Sequence, residues 1–366
     1  MRNEFNLGCA GKNDSSNSHV ANTMNSCPRV TAVVLNWNAA SITVQCLESL
    51  RGAAYPRLEV VVVDNASTDD SLETMRAWGT TQAIPDAVRQ HFGRSDIWRC
   101  VVASALRSAP ELLSENPRII LLRTRENLGF AEGSNVGIAY ALSCRQPADY
   151  VFLLNNDAQV DRDCISACVE VARDTQAGIM GALVKSVSNQ VVPFAGSRFP
   201  RGLFWAHRMP LPNAGVIQRA VDSVSGCAML LRRDMLLSRR QTCGHYLDPE
   251  LFMYFEDTEL CVWARRSGYP VRLTGKGVVH HHGALSTGGG GSALSYYYLT
   301  RNRIHLARRL LSWQMRLLFH LWYVPTRLLR TGQRALQGKP VVSRAILAGI
   351  WDGYRGITGK WRKHAN

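Results

Sequence analysis

The sequence has ten cysteines among 366 residues, but it has no CxxC pair and no regular cysteine spacing. Several of them, such as Cys227 and Cys261, lie in apolar stretches. Cysteine in such surroundings behaves as a small hydrophobic residue. We therefore expect reduced thiols in the core of a cytosolic protein, and no metal or redox motif built on paired cysteines.

Long hydrophobic runs are also absent. Residues 1–27 are rich in Asn and Ser and contain no apolar h-region, so they predict a disordered extension and no signal peptide. Near the C-terminus, arginines interrupt every apolar stretch before it reaches the roughly 20 residues that a membrane-spanning helix needs. The sequence thus predicts no spanning helix.

Acidic residues are scarce at the C-terminal end only. Residues 301–366 contain 14 Lys and Arg but one acid, Asp352, whereas residues 1–300 carry a net charge of only +2. A nearly neutral body argues against nucleic-acid binding, and a basic tail favours contact with an anionic surface. The 46% of hydrophobic residues is ample for a globular core.

Short β-branched runs alternate with helical spacing over most of the chain. The predicted strands are Val30–Asn36, Leu58–Asp64, Ile119–Arg123, Tyr150–Leu154 and Gly178–Val184, and the predicted helices are Ser41–Leu50, Glu132–Leu142 and Cys164–Ala172. This alternation predicts an α/β fold with a mostly parallel, doubly wound sheet. Ligands of such sheets bind beyond the carboxyl ends of the strands, where Asn36, Asp64, Asn127 and Asp157 are expected to gather.

Three segments fall outside this alternation. Residues 79–118 are longer than a simple crossover needs and are predicted to form an added helical excursion. Val192–Arg219, rich in Pro, Gly, Arg and aromatic residues, predicts a surface loop. The run Gly288–Gly291 is flexible by composition and suits either a mobile lid or a plain linker.

The densest acidic cluster lies in Phe252–Leu260, where Glu256, Asp257 and Glu259 directly follow an aromatic run. Carboxylates are costly to bury unless they hold a cation, a proton or a hydroxyl. We therefore expect a functional group here, and a general base is the first candidate.

Other polar groups stand where apolar strands end. Asp64 suits a hydrogen bond from a pyrimidine N3–H, while Ser67 or Asp69 beside it suits an ordinary helix cap. Asp157 suits Mg²⁺ or Mn²⁺, or simple capping of the next helix. His280, the first of three histidines after a strand, is placed to bind metal or to meet a phosphate.

The segment Arg125–Asn135 opens a helix with glycines. Glycine lets the backbone approach a ligand closely, and the start of a helix favours phosphate. An ordinary turn into a helix is the alternative, because the spacing matches neither a Walker loop nor the dinucleotide fingerprint.

Together these segments resemble bacterial family 2 glycosyltransferases of the inverting GT-A type, and especially the rhamnosyltransferase-like branch that builds surface polysaccharides. The resemblance covers residues 29–305. The matching segments, in the family's order, are VLNWN (34–38), VDNASTD (63–69), ENLGF (126–130), LNND (154–157), SGCAML (225–230), ED (256–257), His280 and YLTRN (298–302). Each is short, but the eight in order are specific.

The resemblance implies a catalytic centre that uses Mg²⁺ or Mn²⁺. Asp257 matches the catalytic base, with Glu256 beside it. Asp157 matches the last acid of the DxD motif, and His280 matches a histidine that helps hold metal or diphosphate. Asn155 stands where many relatives have the first Asp, which leaves one charge fewer at the metal.

The same resemblance implies a donor site. Asp64 would contact the base, the Asn36 loop would line the nucleotide, and Arg301 and Asn302 would steady the diphosphate or close the site. The full set of implied donor-site residues is Asn36, Asp64, Asn65, Asn127, Gly129, Asn155, Arg301 and Asn302. The QxxRW signature of processive synthases is absent, which favours transfer of one or a few sugars.

The donor and the acceptor stay open. dTDP-rhamnose is the first choice by resemblance, with UDP-sugars such as UDP-galactofuranose as alternatives. The expected acceptor is a lipid-linked or polysaccharide glycan. A nucleotidyltransferase is disfavoured because no glycine-rich basic loop follows the first strand. A degenerate, membrane-bound nucleotide-sugar binder is the non-enzymatic alternative.

The chain is thus divided into a GT-A domain at 28–305 and a basic amphipathic helical tail at 306–366. Over Ile304–Tyr323 a helical wheel separates basic residues from an apolar arc that includes Trp313 and Leu317. Pro325 is expected to end or kink this helix. The pattern suits the inner face of the cytoplasmic membrane, with packing on the catalytic domain as the alternative.

Overall fold

A computed structural model describes residues 27–78, 80–83, 97–104, 118–144, 146–187, 194–199, 207–210, 218–283 and 291–362. The predicted N-terminal extension, apart from Cys27, lies outside the described residues. So does the predicted lid or linker, apart from Gly291.

The described elements follow the predicted alternation of strands and helices. The strands are β1 (Val30–Asn36), β2 (Leu58–Asp64), β3 (Thr80–Ala83), β4 (Ile97–Ser104), β5 (Arg118–Thr124), β6 (Tyr150–Asn155), β7 (Ala158–Val160), β8 (Ile179–Ser186), β9 (Ser197–Arg198), β10 (His207–Arg208), β11 (Gln218–Ala220), β12 (Ala228–Arg232) and β13 (Val271–His281). The α-helices are α1 (Ala40–Arg51), α2 (Ser71–Trp78), α3 (Gly129–Ser143), α4 (Cys164–Thr175), α5 (Arg233–Cys243), α6 (Glu256–Arg266), α7 (Ala293–Leu310), α8 (Trp313–Leu336) and α9 (Pro340–Arg355).

The main sheet has a parallel centre, in the strand order β6-β1-β2-β5. Beyond β6 come β12, β8, β13 and β11, of which β8 and β13 are parallel to each other and β12 is antiparallel to both its neighbours. Beyond β5, β4 and β3 are added antiparallel. The prediction of an α/β fold with a mostly parallel sheet is confirmed.

The sheet is covered on both faces because its central strands are apolar at consecutive positions. In β1, Val30, Ala32 and Val34 join one core, which α1 and α4 cover, and Val33 joins the opposite core with α3 and α6. Successive strand side chains point to opposite faces, so an unbroken apolar strand must be covered twice. This arrangement leaves the carboxyl edge of the sheet for polar groups.

The predicted helical excursion at 79–118 is wrong where the chain is described, because β3 and β4 extend the sheet there. Both strands contain β-branched residues, which favour strands over helices. The predicted surface loop Val192–Arg219 contains the short antiparallel pair β9–β10 among its described residues.

The single helix predicted over Ile304–Tyr323 is also wrong. α7 ends at Leu310, Leu311 and Ser312 have extended backbones, and α8 begins at Trp313. Pro325 lies inside α8 and does not end it.

The C-terminal helices pack on the rest of the chain. α9 approaches α7 so closely that a Cβ on Gly349 would lie 2.7 Å from the carbonyl oxygen of Tyr297. α7 also continues through residue 305, where the sequence divides the domain from the tail.

Candidate active site

Asn36, the last residue of β1, organises the carboxyl edge of the parallel strands. It is fully buried, and its Nδ2 donates to Asp64 Oδ1 at 3.0 Å and to Ser67 Oγ at 3.1 Å. Thr43 Oγ1 of α1 donates to Asn36 Oδ1 at 2.7 Å. The side chain of Asn36 therefore fixes the loops at this edge.

Asp64, at the end of β2, is enclosed as well. Its Oδ2 accepts from the Ser67 backbone N–H at 3.3 Å and lies 3.5 Å from Arg123 Nε. None of its surface is exposed, and its predicted contact with a base stays a prediction. Arg123 is the partly exposed group at this point.

Asn65 connects the end of β2 to the start of α3. Its Nδ2 donates to Asn127 Oδ1 at 3.2 Å and to the Gly129 carbonyl at 3.1 Å, and its Oδ1 accepts from the Leu128 N–H at 2.9 Å. Asn127 Oδ1 also accepts from the Gly129 N–H at 2.8 Å. The residues predicted to meet a phosphate thus form one hydrogen-bonded turn.

Gly129 is required here by a contact within the protein. Its φ is +77°, and a Cβ would lie 2.5 Å from the Phe252 carbonyl oxygen. The Ala131 N–H donates to that same oxygen at 3.1 Å. This glycine therefore permits a close approach to the loop that carries the acidic cluster.

The histidine beside Asp157 is His281. Its Nε2 lies 3.0 Å from Asp157 Oδ1, and the His282 N–H donates to the Asp157 carbonyl at 2.9 Å. His280 Nε2 instead contacts Asp161 Oδ1 at 3.0 Å. Adjacent strand residues point to opposite faces, so His280 and His281 cannot both face Asp157. The structure thus brings His281, and not His280, beside Asp157, and the metal-binding role of His280 stays a prediction.

The surroundings of Asp157 fit a divalent cation. Asn155 Oδ1 is buried and has no hydrogen-bond partner among the described residues. Burial, and next the charge of Asp157, raises the pKa of the Cys46 and Cys227 thiols, so both stay protonated nearby. Mg²⁺ and Mn²⁺ prefer oxygen ligands, Mn²⁺ accepts imidazole, and both leave positions for phosphate and water.

This donor set is small. No three His, Cys, Asp or Glu side chains cluster as a metal site within the described residues. Asp157, His281 and Asn155 would therefore hold the cation together with oxygens of a bound diphosphate, as is usual for Mg²⁺ sites.

Asp257 lies at the same edge of the sheet, at the start of α6. Its Oδ2 accepts from the Gly226 N–H at 2.8 Å, and its Oδ1 accepts from Thr258. The next residue, Cys227, accepts from the Asn155 N–H at 2.9 Å through its carbonyl. The turn at Gly226 thus joins the acidic cluster to the strand end that carries Asp157.

The loop before this cluster has a strained backbone. Phe252, Tyr254 and Phe255 have φ values of 62°, 66° and 75°. Non-glycine residues rarely adopt positive φ, and such strain persists only where the surroundings hold it in place. Three of the four residues before Glu256 are thus strained, which shows that tertiary contacts hold this loop in place.

Asn302 of α7 holds the loop in this conformation. It is fully buried, and its Nδ2 lies 2.8, 2.8 and 2.9 Å from the carbonyl oxygens of Leu251, Met253 and Tyr254. Its neighbour Arg301 donates to Asn302 Oδ1 at 2.9 Å. We call these contacts the Asn302 clamp.

Arg301 is equally buried. Its guanidinium donates to the carbonyls of Leu251 at 3.1 Å and Gly359 at 2.6 Å, and it lies 4.8 Å from the ring centre of Tyr298. The predicted role of Arg301 and Asn302, to steady the diphosphate or close the site, stays a prediction. Both side chains are used within the protein, where they position the acidic loop.

The first two carboxyl groups of α6, those of Glu256 and Asp257, differ in their surroundings. Burial, and next the charge of Asp257, raises the pKa of Glu256 to about 8, and Glu256 Oε2 has no hydrogen-bond partner among the described residues. Burial also raises the pKa of Asp257, but hydrogen bonds from Gly226 and Thr258 oppose that rise. Asp257 is thus the better stabilised anion, and Glu256 keeps a proton at neutral pH.

We expect stability to fall as pH rises because of Glu256. Between its ordinary pKa of about 4.5 and its folded pKa of about 8, the unfolded chain has lost a proton that the folded chain keeps. The free energy of unfolding should drop by about 1 kcal/mol per pH unit in this window. Glu256→Gln should remove this slope in denaturant unfolding measured at pH 5, 6, 7 and 8. An unchanged slope in the variant would assign the pH dependence to other groups.

Comparison with known proteins assigns most of the chain to a family. Residues 28–283 match the family described as "Glycosyltransferase like family 2". A low-salt glycan biosynthesis hexosyltransferase, Agl10 of Haloferax volcanii, is 27% identical over 144 residues, which cover 38% of this chain and 44% of that protein. An uncharacterized protein of Mycobacterium tuberculosis is 27% identical over 203 residues, which cover 50% of this chain and 68% of that protein.

Solved structures share the fold at low sequence identity. S. aureus TarS 1–349 in complex with UDP-GlcNAc is 14% identical with a TM-score of 0.53, covering 90% of this chain and 81% of that one. The mannosyltransferase PcManGT from Pyrobaculum calidifontis, in complex with GDP-Man and Mn²⁺, is 16% identical with a TM-score of 0.52, covering 90% and 87%. The family match spans well over half of the sequence, and the chain therefore belongs to glycosyltransferase family 2.

Proposed function

We propose that this protein transfers a sugar from a nucleotide-sugar to an acceptor hydroxyl with inversion at the anomeric carbon. The observation that supports this most is the connection of Asp257, through the turn at Gly226 and Cys227, to the strand end that carries Asp157. A candidate base and a candidate metal ligand thus stand at one edge of the sheet, where ligands of α/β folds bind.

Each site residue has a separate role in the proposed reaction. Asp257 takes the proton of the acceptor hydroxyl, whose oxygen forms a bond to the anomeric carbon. The bond from that carbon to the diphosphate oxygen breaks, and the nucleoside diphosphate leaves with the electron pair. Asp157 and His281 would hold Mg²⁺ or Mn²⁺, which neutralises charge on the diphosphate when bound. Protonated Glu256 adds no second negative charge beside the base.

We further propose dTDP-rhamnose as the donor and a lipid-linked or polysaccharide glycan as the acceptor, at the inner face of the cytoplasmic membrane. The resemblance of the eight ordered segments to the rhamnosyltransferase-like branch supports this choice. A UDP-sugar such as UDP-galactofuranose is the alternative, since a related fold is solved with UDP-GlcNAc.

The proposal is tested by nucleotide release from a panel of dTDP-, UDP- and GDP-sugars with Mg²⁺ or Mn²⁺. Release from one donor would identify the sugar. Binding of a nucleotide-sugar without release, in the presence of candidate acceptors, would support the degenerate binder and contradict the transferase.

The two neighbouring histidines provide a matched pair for the metal site. His281→Ala should raise the Mn²⁺ concentration needed for half-maximal nucleotide release by about tenfold or more, because removal of a ligand or its partner weakens metal sites by about that factor. His280→Ala should leave the Mn²⁺ dependence unchanged, since its imidazole contacts Asp161 on the opposite face. An Mn²⁺ dependence that changes in His280→Ala and not in His281→Ala would support His280 as the metal ligand.

A further inference from the structure

α8 exposes a continuous apolar face. At 100° per residue, the positions within about 160° on its exposed side contain no charged residue. They are Trp313, Gln314, Leu317, Leu318, Leu321, Val324, Pro325, Leu328, Leu329, Thr331, Gly332, Ala335 and Leu336. Trp313, Leu321 and Leu329 are each about two-thirds exposed, at 67%, 65% and 66%.

The opposite side of α8 packs on the protein. Phe319 and Tyr323 are buried in a cluster with Leu251, which lies just before the acidic loop. Arg327 lies 5.1 Å from the ring centre of Tyr323, and Arg334 lies 5.2 Å from that of Tyr296. Arg327 and Arg334 of α8 thus face inward, whereas its leucines face outward. The helix breaks at residues 311–312, and the predicted apolar arc has different surroundings on the two sides of the break. Leu306 of α7 is buried, whereas Leu317 and Leu321 of α8 are exposed.

The exposed charge of the C-terminal region has one sign. Among the described residues after α7, up to Arg362, the exposed basic ones are Arg330, Lys339, Arg344, Arg355, Lys360 and Arg362. Its one acid, Asp352, is buried and accepts a hydrogen bond from Tyr297 Oη at 2.6 Å. The C-terminal region thus exposes a long apolar stripe on α8 and, at other positions of its surface, positive charge alone.

We infer that the exposed face of α8, from Trp313 to Leu336, lies in the interface of a bilayer that contains anionic lipids. Apolar side chains would enter the acyl boundary while basic side chains meet the headgroups. A second copy of this chain fits less well, because a two-fold interface would bring surfaces of the same positive charge together.

The orientation follows from the dimensions of α8. Its 24 residues span about 36 Å, with one face apolar along the whole length. Among the described helices, none is long and apolar enough to cross a membrane. α8 thus lies along the membrane surface, and its buried side brings the acidic loop within one helix of a lipid-linked acceptor.

Sedimentation of the purified full chain with lipid vesicles tests the inference. Vesicles that contain phosphatidylglycerol should pellet the protein at low salt, and pure phosphatidylcholine vesicles should pellet less. Leu321→Glu combined with Leu328→Glu should weaken the partition by at least about tenfold, since two leucines no longer enter the acyl boundary. Binding is measured without a donor, so its result does not depend on the proposed transferase activity.

The matched control is Leu237→Glu, which adds a charge at an exposed leucine of α5, outside the C-terminal region. It should bind vesicles like the wild type, and thermal unfolding should confirm that all variants are folded. The inference is overturned if the wild type does not pellet with anionic vesicles at low salt, or if the double variant binds equally well. A dimer in sedimentation velocity that the same two substitutions dissociate would assign the face to a second copy.

Discussion

Asp257→Asn is expected to lower kcat for sugar transfer by about 10²–10⁴-fold, which is the usual contribution of a general base. The amide cannot take a proton from the acceptor hydroxyl. The donor KM should change little, because Asp257 hydrogen-bonds to Gly226 and Thr258 and not to the elements that carry Asn36 or Asp64. Steady-state nucleotide release, with the acceptor saturating, measures both constants.

Two comparisons make this result specific. Asp161→Asn changes another carboxylate near the same edge, which is half-exposed and paired with His280, and it should keep the wild-type kcat. Asp257→Glu retains a carboxylate and should recover part of the rate. Wild-type kcat in a folded Asp257→Asn protein would show that another group, with Glu256 as the first candidate, is the base.

The strands that position the site follow from local pattern. β1 and β2 end at Asn36 and Asp64 as predicted, because β-branched runs there give way abruptly to polar residues. The gathering of polar groups at one edge follows from parallel pairing, which places Asn36 opposite Asp64. These features needed no knowledge of distant contacts.

The choice among the histidines was harder, because β13 shifts register between Leu273 and Val278. One residue of shift exchanges the two faces of a strand. Val279, which is fully buried and two residues before His281, is the signal that identifies the inward face. Because strand side chains alternate with a period of two residues, Val279 and His281 share a face, and His280 lies on the other.

The role of Asn302 was not predictable from local pattern at all. Its partners Leu251, Met253 and Tyr254 lie about fifty residues earlier in the chain. The positive φ values of the loop between Phe252 and Phe255 are likewise set by tertiary contacts, since aromatic residues do not favour that region. The family motif therefore indicated that Asn302 is important but did not reveal its contacts with the acidic loop.

Asn302→Ala is expected to damage both stability and turnover. The carbonyl oxygens of Met253 and Tyr254 would lose this donor, whereas that of Leu251 keeps Arg301 and the Met253 N–H, and each buried unpaired group costs about 1–3 kcal/mol. The free energy of unfolding should thus fall by about 2 kcal/mol or more. The released loop can relieve its strained backbone, and a shift of Asp257 by about 1 Å can lower kcat by about 10²-fold.

His305→Ala separates these two effects. His305 is also a buried polar residue of α7, but its Nε2 contacts the carbonyl oxygen of Ile357, at 3.0 Å, and not the acidic loop. It should lower stability while the folded fraction keeps the wild-type kcat. Denaturant unfolding together with nucleotide release at a temperature where both variants are folded gives the comparison. Equal kcat in Asn302→Ala and His305→Ala would show that the clamp only stabilises the fold, whereas a loss confined to Asn302→Ala would show that α7 positions the base.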